Sequence, residues 1–277
     1  MTTAIKSMTP RCRLARGAPV ALAVLLMGGP LVATAAEDKL VFSANGMSLT
    51  GDHGGGGAAG TWLTQFDSGS LLGLGVEYQQ IYNSHWTNGT FNGAYKFGQG
   101  SIKTSLYAEA HVGSGSTGGE AFKYRNVAGG FISALTPSLA VQLEERYIDI
   151  QPSHGHLPKL GLSFQLDPKV LASVSYAQSF GGNLGTKLGT ARLDYVGTPV
   201  SWLVGGAYGP VAPRVLNLIG QTVGPSKTLK EGFVGVGKSF GPTDWQLIGD
   251  YQDLEGFKRT TITLNCTVHR DKGSAPR

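Results

Sequence analysis

The sequence predicts an all-β fold: a transmembrane, antiparallel, up-and-down β-barrel of about 14 strands, with about 12 as the alternative count, behind a cleaved signal peptide. Three observations carry this. Apolar and polar residues alternate with a period of two in run after run. Short turns and longer loops take turns between the runs. Aromatic side chains collect at the run ends.

The clearest run is Ser101–Val112. Ile102, Thr104, Leu106, Ala108, Ala110 and Val112 make one apolar or small face, and Lys103, Ser105, Tyr107, Glu109 and His111 make the opposite, polar one. A period of two is a strand with one greasy and one wet side. At about 11 residues it suits a tilted membrane-crossing strand better than the globular average of about 5–6.

The chain begins with a secretory address. Residues 1–36 carry Lys6, Arg11, Arg13 and Arg16 and no acid. The apolar run Ala18–Met27 follows, and then the small-residue cleavage site Ala33-Thr34-Ala35-Ala36. That run is shorter than the roughly 20 residues a helical span needs. Residues 1–36 are therefore the expected signal peptide and residues 37–277 the barrel. The four basic residues supply most of the formal net charge of +5. The remainder is nearly neutral, which excludes a basic nucleic-acid-binding surface. Of the two cysteines only Cys266 stays in the mature chain, so it holds no internal disulfide.

Taken in order, the strand-like runs fall at 39–50, 58–66, 71–81, 87–97, 101–112, 121–135, 139–150, 158–166, 170–180, 186–195, 200–208, 228–240, 244–254 and 258–269. Asp67–Ser70, Gly98–Gly100, Thr136–Ser138, Asp167–Lys169, Gly197–Pro199 and Gly241–Thr243 are short connections rich in turn formers. The connections between them are mostly longer: Gly51–Gly57, Tyr82–Trp86, Gly113–Glu120, Gln151–Leu157, Gly181–Gly185 and Gly209–Lys227. Short turns on one side and long loops on the other are the mark of an outer-membrane barrel. Phe66, Phe97, Tyr195, Trp202, Phe240 and Trp245 sit by the short turns. Tyr78, Tyr82, Trp86, Tyr147, Tyr176, Phe180, Tyr208 and Tyr251 sit towards the long loops, as two membrane interfaces require. In 121–135 the phase slips between Phe122/Tyr124 and Val127/Phe131, which predicts a bulge near Gly129-Gly130.

The segments Leu160-Gly-Leu-Ser-Phe-Gln-Leu-Asp-Pro, Gly235-Val-Gly-Lys-Ser-Phe-Gly-Pro and Ile248-Gly-Asp-Tyr-Gln give residues 39–269 a texture that resembles the YaiO-type outer-membrane barrels. The resemblance implies an outer-membrane location, no catalytic set, and a role beside envelope or polysaccharide machinery.

The inward phase gathers charges of both signs: Lys103, Glu109, Glu144, Arg146, Arg192, Asp194 and Asp250, with Gln142 and Lys159. These are the candidate lumen residues, either as a salt-bridge filling or as a solute path. The loop Gly209–Lys227 is stiffened by Pro210, Pro213 and Pro225 and carries an apolar stretch. It places Arg214, Leu216 and Leu218 at the outer mouth. Ser84-His85-Trp86-Thr87-Asn88 resembles the His-x-Ser element of outer-membrane phospholipase A and the lipid A deacylase, with Thr87 in place of the serine. On a strand the two side chains share a face, as a base and a hydroxyl must. His154-Gly155-His156 with Asp149 offers at most three metal ligands in a loop. No metal and no cofactor is expected.

The function that follows is a non-enzymatic channel or accessory barrel, monomeric in the outer membrane, for small solutes or for an envelope or secreted polymer. The alternatives are a lipid acyl hydrolase using His85 and Thr87, and a closed structural or surface-binding barrel. Expected partners are outer-membrane lipid, the barrel-assembly machinery, and a polysaccharide or small solute; nucleic acid is not among them.

Overall fold

A computed structural model describes residues 35–51, 53–98, 103–212 and 226–271. The expected signal peptide lies outside the described residues, apart from its last two positions. Fifteen strands follow one another: β1 (Ala35–Leu49), β2 (His53–Phe66), β3 (Leu71–Ile81), β4 (Ser84–Phe97), β5 (Thr104–Thr117), β6 (Glu120–Thr136), β7 (Leu139–Ile150), β8 (Ser153–His156), β9 (Lys159–Asp167), β10 (Val170–Gln178), β11 (Lys187–Val196), β12 (Val200–Val211), β13 (Lys227–Phe240), β14 (Thr243–Leu254) and β15 (Phe257–Asp271). Each pairs antiparallel with its neighbours, and β1 pairs with β15, so the sheet closes on itself.

β8 and β9 are two pieces of one stave. Ile150↔Ser153 and Glu144↔Lys159 keep a single register along β7, and the interruption is only Leu157-Pro158. Across the break Leu157 N–H still donates to the Arg146 carbonyl at 2.7 Å. The barrel therefore has the 14 staves the alternation predicts.

Closure explains the alternation. Every backbone polar group at membrane depth needs a partner, and only a closed ladder supplies one at both edges. One side-chain phase then faces lipid. Val76, Leu106, Val234 and Ile262 lie on it, all exposed. The aromatic belts are built from Phe97, Trp202, Phe240 and Trp245 at the short-turn end and Tyr78, Tyr176, Tyr208 and Tyr251 at the other.

Two expectations need correction. Most of the predicted long loops are strand. β4 starts at Ser84 and β5 runs to Thr117, and the connections Tyr82-Asn83 and Gly118-Gly119 are two-residue turns, as short as the expected Glu255-Gly256 connection. Gly118 and Gly119 take φ of +55° and +90°, which a side chain would resist, and this lets so tight a turn form. At 14 residues β5 exceeds the roughly 9–11 needed to cross a bilayer, so the hairpins stand above the membrane. The second correction concerns β6. Its pairing with β5 is unbroken from Thr104↔Ser133 to Thr117↔Glu120, with no bulge at Gly129-Gly130; the register shift lies between Ala134 and Thr136. Phe122 and Tyr124 keep the inward phase and are buried. They break the polar-inside pattern because at that height the inside is apolar.

Candidate functional site

The barrel interior is layered along its axis. At mid-height the wall from β3 to β9 carries a polar chain. Asn88 Nδ2 donates to Glu77 Oε1 at 2.6 Å. Glu77 Oε2 lies 3.1 Å from His111 Nδ1, a polar contact without hydrogen-bond alignment. His111 Nε2 stands 3.8 Å from Glu109. Arg146 then grips Glu109 with both terminal nitrogens, at 2.6 and 2.8 Å, and reaches Asn126 at 2.9 Å and Glu144 at 3.2 Å. Glu144 also accepts from Lys159 and from the Tyr107 hydroxyl, each at 2.8 Å. The planar fork of arginine suits this two-point grip, and burial strengthens it. Glu109 is fully buried.

The opposite wall is paired more locally. Arg192 folds onto Asp194, two residues on along β11, through Nε at 2.8–2.9 Å and a terminal nitrogen at 2.5 Å. Asp250 on β14 sits with Glu231 and Arg259. Lys103 does not join either wall; it is exposed at the short-turn rim. Among the predicted candidates, then, Glu109, Glu144 and Arg146 share one network, Arg192 and Asp194 form a pair, and Asp250 stands in a third group. Sequence reasoning did not single out Glu77, Asn88, Tyr107, Asn126 or His111. Their signal was the inward parity itself, since each lies on the wet phase of its strand.

Above the polar layer the interior turns apolar. Leu49, Ile81, Trp86, Phe122, Tyr124, Ile148, Ile150, Leu157, Ala177 and Leu184 pack into one buried cluster. Val211, Leu229 and Leu254 form a second, and Phe257 touches both. Together they make a collar round the outer mouth. Trp86, expected in the aromatic belt, points inward and is only 1% exposed, its ring stacked on Tyr124 at 6.3 Å. Its Nε1–H has no hydrogen-bond partner among the described residues.

Leu184 comes from the connection between β10 and β11, expected only as a loop. The connection is tied down on several sides. Asn183 N–H donates to the His154 carbonyl at 3.0 Å, and Thr186 N–H to Ser179 Oγ at 2.7 Å. Ala212 N–H donates to Thr186 Oγ1 at 3.2 Å, and Ser226 Oγ to the Leu184 carbonyl at 3.3 Å. These bonds press Leu184 into the collar, where it has no exposure at all. Arg214, Leu216 and Leu218 lie outside the described residues; Ala212 and Ser226 are the ends of that loop. At the outer rim Glu255 accepts from Thr228 N–H at 2.9 Å, which holds its carboxyl below the usual range.

His85 and Thr87 point outward, as their parity requires, but the group His85 meets is Ser116 on β5, at 3.4 Å from Nε2. The residue paired with His85 on β3 is Gln80, so the Asp, Glu or Asn that would orient the ring does not stand there. His156 is occupied by Glu145 at 2.8 Å. Among the described residues no three His, Cys, Asp or Glu side chains converge on a metal position.

No family model matches the chain, and no curated protein matches it. Solved structures do match in fold. The CymD monoaromatic hydrocarbon channel superposes with a TM-score of 0.57 at 11% identity, over 86% of this chain and 89% of that one. The TodX deltaS2S3 mutant monoaromatic hydrocarbon channel gives 0.56 at 8% identity, over 86% and 90%. The deltaS2 mutant of TodX gives 0.53 at 9%, over the same shares. At such identities the likeness is one of fold: this chain has the closed antiparallel barrel of outer-membrane channel proteins.

Proposed function

We propose that the protein is a non-enzymatic outer-membrane channel for small solutes, apolar ones first, with its barrier at the outer mouth. The observation that carries this is the layering: an apolar collar lies above a polar layer in which Glu109, Glu144, Arg146, Arg192 and Asp194 are already paired. A small apolar molecule gains by leaving water for the collar, at about 25 cal/mol per Å² of apolar surface buried. A charged solute meets no charged collar side chain there to replace its water. Trp86, Phe122 and Tyr124 present aromatic surface to such a guest, and the unpartnered Trp86 Nε1–H gives it one polar handle. The fold shared with channels named for monoaromatic hydrocarbons supports the same reading. Passage of a polysaccharide, which the resemblance to YaiO-type barrels implies, would have to part the whole collar and is the weaker reading. The hydrolase reading finds Gln80, not an Asp, Glu or Asn, paired with His85 on β3.

The test is conductance in planar bilayers together with whole-cell uptake of a monoaromatic hydrocarbon. Wild type should conduct ions poorly and still speed uptake. Leu184→Ala combined with Trp86→Ala should open the collar and raise ion conductance. Uptake equal to that of cells without the barrel, with both proteins electrically silent, would refute the channel and leave a closed structural barrel.

A further inference from the structure

The membrane-facing wall carries an open recess. A groove of ≈ 530 Å³ lies across the outer faces of β6, β7, β9 and β10. Gly129 and Pro158 are at its floor, and Phe131, Leu143, Leu160 and Tyr176 wall it. The last three of these are among the exposed large hydrophobics. Above it stands an interfacial cluster in which His156 stacks on Phe180 at 5.3 Å, contacts Tyr147 at 5.2 Å and bonds Glu145. The groove is thus apolar in its depth and polar at its upper edge, where Glu145 and Gln178 also line it.

Gly129 keeps the groove open, and nothing in the wall obliges it to be glycine. A Cβ built there would meet its nearest atom, Ala108 Cβ, at 3.6 Å, an ordinary contact. The neighbouring Gly130 is different: its Cβ would fall 2.2 Å from the Leu143 carbonyl oxygen, so backbone packing demands glycine. Gly46, Gly232 and Gly249 are likewise lipid-side glycines that the fold does not need; Gly129 differs from them in lying within the recess, where a side chain would fill it. Pro158 adds to the recess. Gln178 N–H donates to the Pro158 carbonyl at 3.2 Å, but proline has no N–H to return the bond, so the ladder is thinned at the groove floor.

We propose that this groove is a lipid-binding site that holds one acyl chain of a membrane lipid, with the headgroup end beside Glu145, His156 and Gln178. An empty recess in hydrocarbon forfeits the dispersion contacts of its whole lining. Acyl chains are the molecules present at that depth, and a chain seated between Phe131 and Tyr176 restores the contacts. The proposal rests on the barrel being embedded in a membrane and not on its conducting.

The test refolds the mature barrel into phosphatidylcholine vesicles containing a phosphatidylethanolamine with a diazirine in one acyl chain. After illumination, peptide mapping should find cross-links concentrated on Phe131, Leu160 and Tyr176, above those on the exposed Val234, Val236 and Leu247 of the far wall. Gly129→Phe fills the groove and should lower groove labelling about tenfold, a loss of about 1.4 kcal/mol in affinity. Gly249→Phe, where no atom lies within 4 Å of the new Cβ, adds the same ring to the far wall and should leave groove labelling unchanged. Even labelling of both walls in wild type, or full groove labelling in a folded Gly129→Phe, overturns the proposal. Should Gly129→Phe not fold, the wild-type map decides alone. An evenly labelled barrel that conducts would sink the groove and leave the channel standing.

Discussion

Replacing Arg146 with methionine tests whether the polar layer is dry. The substitution keeps most of the stem's volume and removes the guanidinium. Glu109 then loses its bonds at 2.6 and 2.8 Å, and the His111 ring stays 3.8 Å away. Its side chain is 1% exposed, so water does not replace the lost donors. Glu144 is less affected, because Lys159 and Tyr107 still bind it. Breaking a buried pair by removing one partner costs about 3–5 kcal/mol, whereas an exposed pair is worth about 0.2–1. The assay is urea unfolding of the barrel in lipid vesicles, followed by tryptophan fluorescence. Arg146→Met should lose about 3–5 kcal/mol. Adding Glu109→Leu should restore most of the loss, since the orphaned carboxylate is then gone. A single-mutant loss of only about 0.2–1 kcal/mol would mean that water reaches Glu109. That result would refute the reading of a packed polar layer.

Two more perturbations follow from the same geometry. Leu106→Arg puts a charge on the lipid face and should cost roughly 2–4 kcal/mol if it lies near the bilayer midplane. Ser105→Arg, one residue away and facing the interior, should cost less; equal losses in heat-modifiability and assembly yield would show that the phase of β5 is misassigned. In a Cys266→Ser background, single cysteines at Gly118 and His154 should react with an impermeant maleimide on intact cells. A cysteine at Lys169 should need permeabilised cells, and equal labelling at all three would reverse or sink the orientation.

The sequence displayed the staves because a barrel wall is a local object. Each strand has one lipid side and one inner side, so parity alone marks Leu106 as outward and Glu109 as inward. What parity does not carry is height. Phe122, Tyr124 and Trp86 are aromatic residues near strand ends, and a belt at the interface and a collar inside the mouth draw on the same residue types. The choice between them depends on what packs beside them on the inner face. For Tyr124 that means Trp86, 38 positions earlier, and Ile148, 24 positions later. Loop lengths misled for a related reason. Turn-forming residues around Gly113–Gly119 mark where a strand is free to end, but pairing with β4 and β6 carries β5 on to Thr117. Leu184 had no periodic signal at all; four hydrogen bonds from three other segments and its own loop set its place.

The seam between β1 and β15 sets an order of events. Its register runs from Glu37↔Asp271 to Leu49↔Arg259, so the first and last strands of the barrel must meet. Until β15 is made, β1 presents an open edge that invites pairing with any other strand nearby. Contacts so distant in sequence are among the slowest to form, because loop closure must precede any gain from pairing. Capture of one terminus by the other is the step that turns the sheet into a cylinder. The chain fastens that step at the short-turn end with His269, whose ring nitrogens face Glu37 at 2.5 Å and Asp244 at 2.9 Å. A polypeptide cut short before residue 257 has every wall contact from β1 to β14 available and still has no way to become a cylinder.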